Sequence, residues 1–305
     1  LRATLRLLWG DFGSPAAHSQ LPSARAANDT AVFAMFHIRH VDSLELPELA
    51  PYRTMRRPVE HVQQRIFVAE GDKVVRRLLE TNLTIVSLLM IEKWVDELTP
   101  LLQSRREDIP VFTIPREQME QLVGFRLYQG LMAVAQFPPP LALDEILAGS
   151  PKPRLLLALD GLADAENIGV IVRNSVAFGV QMLIAGETST SPYMRRSVRN
   201  SMGTIFKHPI FEPPSLVQTL RELRSRGIRC IAAHGHSQEK TLSQCDLSHD
   251  CCIVLGSEAH GISPDVLAAC DEAVAIPMAN EVDSLNVANA AAVFLFEARR
   301  QRGKM

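Results

Sequence analysis

No apolar run in the 305 residues comes near the ~20 that a helix needs to cross a bilayer. Residues 83–91 form an apolar stretch that is far too short, and Lys93 follows it. Charge of one sign is also missing. Lysine and arginine total 32 against 34 acidic residues, for a net charge of -2. An overall basic character of the kind many nucleic-acid binders carry is thereby excluded, so any nucleic acid must bind through local patches. Three such patches stand out: Arg53, Arg56 and Arg57; Lys73, Arg76 and Arg77; Arg195, Arg196 and Arg199. Each, taken alone, is equally well a solvated face. Cysteine is scarce and one-sided. The five are Cys230, Cys245, Cys251, Cys252 and Cys270, with no C-x-x-C pair among them. That spacing excludes a zinc ribbon or a disulfide framework and points to reduced core thiols in a cytoplasmic protein with no metal. Internal repeats and low-complexity tracts are absent as well.

What is present is an alternation of strand and helix patterns in two blocks. Residues 1–47 read as a leader or poorly ordered extension, with Met35 as the initiator; the apolar LRLLW at 5–9 is too short for a secretory core. The first block, 48–137, reads as strand 65–69, helix 72–80, strand 83–90, helix 92–103 disturbed by Pro100, strand 111–114, helix 116–123 and strand 131–137. It predicts a small α/β sandwich, with Lys73, Arg76 and Arg77 on one helix face. Pro138, Pro139 and Pro140 open a segment, 138–153, whose composition suits a semi-rigid linker. The second block, 154–305, starts with a continuous apolar strand at 154–160. Helices are expected at 167–178, around 193–201, at 215–226 before Gly227, and at 286–300. Strands are expected at 180–185, 206–211, 229–233, 251–256 and 272–276. The pattern predicts a mostly parallel α/β sheet, and physical rules alone would make it open and unknotted.

Three segments of the second block carry chemistry. In NIGVIVRNSVAFG (167–179), Asn167 stands where it could cap a helix, and Gly169 and Arg173 are four apart on one face. The missing side chain at Gly169 would let a backbone or a phosphate approach beside the guanidinium. In LGSEAHGI (255–262), Gly256 ends an apolar strand, where a ligand can lie close to the backbone. Glu258 follows; alone it reads as a capping carboxylate, and His260 as incidental. In IPMANEVDSLNV (276–287), Ser284 and Asn286 are natural caps for the last helix. No G-x-G-x-x-G follows the 154–160 strand, which disfavours a dinucleotide oxidoreductase.

In this order and spacing the three segments resemble the signature motifs of the TrmH (SpoU) family, S-adenosylmethionine-dependent RNA ribose 2'-O-methyltransferases of the SPOUT superfamily. The resemblance covers about half the chain, from Arg154 on. It implies a trefoil knot in the C-terminal domain and a homodimer. It implies a catalytic set of Asn167, Arg173, Glu258, Ser284 and Asn286, with Arg173 contacting phosphate and activating the 2'-hydroxyl. A guanidinium is a poor base, so that activation is electrostatic. S-adenosylmethionine would be held around Leu255, Gly256, Ile276, Met278 and Leu285. Two positions depart from the pattern. Asn280 stands where relatives have glycine, which requires Asn to accept a positive φ, and Asp164-Ala165 stands for Asp-Pro. The phrases around 67–73 and 128–134 resemble the substrate-binding domain of many relatives, itself similar to kink-turn-binding ribosomal proteins, and RNSMG (199–203) resembles a family segment on the substrate side. The expected partner is RNA, ribosomal in preference to transfer RNA; the alternative is a transfer-RNA enzyme or an inactive RNA-binding relative. Retention of the five polar motif residues speaks against inactivity.

Overall fold

The computed structural model describes residues 36–123, 129–235, 240–280 and 282–303. The expected leader up to residue 34, Met35 and Tyr128 lie outside the described residues.

The first block contains β1 (Phe36–His40), the short helical turns α1 (Ala50–Arg53) and α2 (Pro58–Gln63), β2 (Ile66–Glu70), α3 (Asp72–Leu79) and β3 (Ile85–Met90). It continues with α4 (Trp94–Gln103), β4 (Ile109–Thr113), α5 (Arg116–Val123) and β5 (Leu131–Gln136). The strands form one sheet in the order β1-β4-β3-β5-β2. β1 and β3 flank β4 in parallel, and β5 pairs antiparallel with both β3 and β2. β2 is buried along its whole length, and α3 turns Val74, Val75, Leu78 and Leu79 into the core. β1 falls inside the 1–47 segment expected as an extension. Its FHIRH sequence is exposed at four of five positions, as an edge strand allows, so it lacks the apolar pattern that would mark it.

The proline-rich segment 138–153 also differs from expectation. It holds α6 (Leu143–Gly149), which buries Leu143, Ile146 and Leu147 against Leu156, Met182 and Leu220. Apolar residues three and four apart make this a packed helix, not a bare spacer.

The second block runs β6 (Leu155–Asp160), α7 (Ala165–Phe178), β7 (Met182–Ala185), α8 (Arg195–Asn200), β8 (Ile210–Phe211) and α9 (Leu216–Ser225). Then come β9 (Arg229–Ala233), β10 (Cys251–Gly256), α10 (Pro264–Ala268), β11 (Glu272–Val274) and α11 (Val287–Gln301). Strand order is β11-β9-β10-β6-β7-β8, and every pairing is parallel. β6 and β10 are fully or almost fully buried because helices cover both faces. The strand expected at 206–211 is a 3-10 turn followed by only two strand residues. After β8 the chain returns past β6 to build β9, and then inserts β10 between the two. Such a reversal opens a crevice at the strands' carboxyl ends.

The described residues belong to one compact unit. The two sheets meet through a dry aromatic cluster. Phe67 of β2 stacks on Phe206 at 5.5 Å and lies 5.8 Å from Tyr193, which in turn lies 4.8 Å from Phe137. Burial pushes the Tyr193 phenol above its ordinary range. Arg77 of α3 reaches across to donate to the Met202 carbonyl at 2.6 Å. Because Phe67 is 1% exposed, Phe67→Ala should cost about 3–5 kcal/mol. Both sheets should unfold in one urea transition at a lower midpoint; two separated transitions in the wild type, followed by circular dichroism, would show that the sheets are independent.

Candidate functional site

The site is assembled by side-chain amides. α7 is capped by Asp164, whose carboxylate accepts from the Glu166 amide at 2.8 Å. Asn167 therefore does not cap the helix as expected. It sits inside the first turn, which leaves its amide group free for side-chain bonds. Its Nδ2 donates to Glu258 Oε1 at 2.9 Å, and its Oδ1 accepts from Asn286 Nδ2 at 3.0 Å. Asn286 caps α11, as expected, by accepting from the amides of Ala288 at 2.9 Å and Asn289 at 3.4 Å. Those backbone donors fix the polarity of the whole chain. The Asn286 oxygen must face the helix, so its NH2 faces Asn167, and the Asn167 NH2 must face Glu258, which accepts. Glu258 Oε2 also accepts from the Ala163 amide at 3.4 Å. All three motifs thus meet at one point.

Beside this network lies a cavity of about 470 Å³ at the carboxyl ends of β9, β10 and β11. Leu255, Gly256, Ile276, Met278 and Leu285 all line it, together with Glu258, Ser284 and Asn286. Sequence reasoning missed three contributors: the Ala233-His234-Gly235 end of β9, Asp283, and the α11 residues Ala290 and Phe294. The signal for the first was available only with strand order in hand, since β9 adjoins β10. The cavity has the size of a nucleoside with a short tail. Its carboxylates, Glu258 and Asp283, suit a cationic ligand, and its aliphatic wall suits a purine.

At two glycines the space of the missing side chain is taken by the chain itself. A Cβ on Gly256 would stand 2.2 Å from both the Gly261 carbonyl carbon and the Ile262 nitrogen. The close approach there is made by the chain's own returning loop, not by a ligand. That loop is closed by reciprocal Ser257 and Gly261 backbone bonds of 2.9 Å. A Cβ on Gly169 would stand 2.5 Å from the Ser197 carbonyl oxygen. Of the two expected partners for this gap, a backbone or a phosphate, it is the backbone of α8 that takes it. Asn280 adopts φ +56°, the left-handed conformation its position requires.

Arg173 lies on the exposed face of α7 and is not among the residues lining the cavity. The basic patches are only partly free. Arg76 bonds Asp72 at 2.5 Å and Glu97 at 2.9 Å, and lies 5.9 Å above the Trp94 ring. Arg195 is held by Glu70 at 2.5 Å, Arg199 by the same carboxylate at 3.5 Å, and Arg196 meets Glu166 at 3.7 Å. The expected uniform stripe of Lys73, Arg76 and Arg77 is broken, because Arg76 is neutralised by its own helix and its neighbour; Lys73 and Arg77 remain exposed.

Fold and site together define an α/β protein with a cavity of about 470 Å³ at the carboxyl ends of a parallel sheet. Comparison with known proteins is consistent with this. Residues 154–296 match the model of the SpoU rRNA methylase family. An uncharacterized tRNA/rRNA methyltransferase of Mycobacterium avium is 34% identical over 255 residues, covering 81% of each chain. Among solved structures, the SpoU methyltransferase AviRb of Streptomyces viridochromogenes is 26% identical, with a TM-score of 0.71 over 82% of this chain and 95% of AviRb. The rRNA methyltransferase of Sinorhizobium meliloti, bound to S-adenosylmethionine, shares the fold at 24% identity and TM-score 0.73, over 86% of this chain and 98% of its own. The chain belongs to the SpoU rRNA methylase family. It is an RNA methyltransferase.

The amide network separates two roles at Asn286. Asn286→Ala removes the cap and the bond to Asn167, and should cost about 1 kcal/mol of stability as well as activity. Asn286→Asp keeps the cap acceptor but cannot donate to Asn167. Thermal unfolding should return to the wild-type midpoint while methyl transfer stays low; recovery of activity in the aspartate variant would remove the network from function.

Proposed function

We propose that the protein methylates ribose 2'-hydroxyls of structured RNA, with ribosomal RNA as its substrate, and acts as a cytoplasmic homodimer whose C-terminal domain carries a trefoil knot. The observation that carries this reading is the Glu258–Asn167–Asn286 chain, which joins the three motif segments at the rim of the cavity. S-adenosylmethionine is the cofactor, and AviRb has been solved in complex with it. When bound, it supplies an electrophilic methyl carbon. Leu255, Ile276, Met278 and Leu285 form the wall that would hold it, and the carboxylates of Glu258 and Asp283 complement its positive charges.

The protein's own task is to position a 2'-oxygen and make it a better nucleophile. A guanidinium is a poor base, so Arg173 acts by attracting the RNA phosphate and stabilising negative charge on the ribose oxygen. Glu258, Asn167 and Asn286 fix the orientation of the first turn of α7, from which Arg173 projects further along. Ser284, beside Asn286 on the cavity wall, completes the polar rim.

The dimer reading rests on an apolar face. α7 exposes Val170 and Val176, while α11 exposes Val293 and Phe296, and Phe296 meets Phe178 edge-on at 6.4 Å. Arg173 lies on α7 between the two exposed valines. On this reading a second copy seated on this face would bring Arg173 to the partner's cavity, in keeping with its absence from the lining of its own. The buried free thiols Cys230, Cys251 and Cys252 suit a reducing cytoplasm.

Incubation with methyl-labelled cofactor and either ribosomal or transfer RNA, followed by nucleoside analysis, tests the reaction. Label in 2'-O-methylnucleosides of ribosomal RNA is expected; label on bases, or in transfer RNA only, would overturn that part of the reading. Arg173→Ala should lower kcat at least ~100-fold with an unchanged melting temperature, since an exposed helical arginine adds little to stability. Arg173→Lys should fail as well, because a point charge does not replace a planar fork. Turnover like the wild type in either variant would exclude Arg173 from the mechanism.

A further inference from the structure

Glu70, the last residue of β2, is only 7% exposed. A carboxylate so placed needs cations at hand, because burial takes away its water. Both of its cations come from α8, which belongs to the other sheet's half of the molecule. Arg195 Nη1 lies 2.5 Å from Oε2, and Arg199 Nη1 lies 3.5 Å from Oε1. Residues 195 and 199 are four apart and share a helix face, so one carboxylate holds both guanidinium groups. It holds them unequally. The Arg195 side chain is 16% exposed and the Arg199 side chain 54%. All three arginines, Arg195, Arg196 and Arg199, line a cavity of about 310 Å³, with Asn200 and Glu166 beside them.

α8 is fixed to α7 just as firmly. Ser197 Oγ donates to the Ala165 carbonyl at 2.6 Å, Arg196 meets Glu166 at 3.7 Å, and the absent side chain of Gly169 leaves room for the Ser197 backbone and the Asn200 Cβ. Asn167 stands in that same first turn of α7. A continuous set of short contacts therefore runs from Glu70 in the N-terminal sheet, through α8, to the amide network at the cofactor cavity.

Deepening the RNA reading above, on which it rests, we infer that Glu70 is a positioning residue for RNA. It uses Arg195 as an anchor and holds Arg199, with Arg196, over the small cavity as a phosphate clamp beside the catalytic helix. The three arginines of α8 share the cavity but differ in freedom: Arg195 is the tightly held, mostly buried one, and Arg196 and Arg199 are the exposed ones. Arg77, bonded to the Met202 carbonyl just beyond α8, and exposed Lys73 extend the same positive strip onto the N-terminal sheet.

The inference opposes simple electrostatics, and that makes it testable. Removing an anion from a face that meets RNA should by charge alone strengthen binding. Removing a positioning anion should weaken it. The measurement is fluorescence anisotropy of full-length protein with a short fluorescein-labelled RNA hairpin, titrated at several salt concentrations. Glu70→Gln should bind about tenfold more weakly, the size of one lost charge-assisted contact, and its salt slope should fall by about one phosphate's worth. Arg199→Gln, a half-exposed site that does not threaten folding, should do the same. The double variant should be no weaker than either single one. Affinity for S-adenosylmethionine, read by calorimetry, should be unchanged throughout, since that cavity is lined by other residues. Equal or tighter RNA binding by Glu70→Gln overturns the inference, as does wild-type affinity in Arg199→Gln or full additivity in the double variant. If Glu70→Gln lacks a cooperative melting transition, the Arg199→Gln result decides alone. A wild type that binds the cofactor but no hairpin would instead overturn the underlying RNA reading.

Discussion

One primary amide orders the site. The Asn167 side chain must accept from Asn286 and donate to Glu258 at once, and the α11 cap leaves it no choice of direction. Its two partners are 91 and 119 residues away in sequence. Bringing them within 3.0 Å requires β6, β10 and the start of α11 to be in place, so the network forms only when the parallel sheet is complete. An apolar contact tolerates rearrangement; a chain of oriented dipoles, here at a solvent-exposed rim, does not, because turning one member breaks its bonds to its neighbours. The geometry of this network is for this reason a property of the whole second sheet.

The first sheet is tied to it by two kinds of force. The aromatic cluster of Phe67, Phe137, Tyr193 and Phe206 is non-directional and strong in aggregate, while the Glu70 pairs are directional and add little net stability. The first holds the halves together and the second sets their angle. α6 closes the remaining gap by adding its three apolar side chains to the core of the second sheet. A substrate that touches both halves meets a surface of fixed spacing.

Much of this was legible in the sequence. α5, β9 and β10 occur at the expected residues, and α11 with its Asn286 cap is shifted by only one, because period and capping chemistry are local properties. The five cavity residues were located by resemblance, and they do lie together. What was not legible depends on neighbours distant in the chain. Asn167 looked like a cap because Asn is a good one, but Asp164, three residues earlier, takes that place and frees Asn167 for a longer-range task. Gly169 and Gly256 announced close approaches without saying to what, and in both cases the answer was backbone from another segment. Arg76 and Arg195 looked like surface charge, since a sequence does not show which carboxylate will stand opposite. β1 was hidden by its polarity, which an edge position permits and a central one would not.

The contact between Gly256 and residues 261–262 leaves the cavity floor built from main chain packed on main chain. On the 257–260 loop Glu258 belongs to the amide network, while the side chains of Ala259 and His260 decorate that floor without shaping it. Their identities can drift through many generations while the outline presented to a ligand stays constant. A mutation at Gly256 itself has no such latitude, since even one methyl group would separate the strand from its returning loop and reopen the fold at its tightest point. Evolution of new preferences in this enzyme is therefore channelled to the rim and to α8, away from the floor.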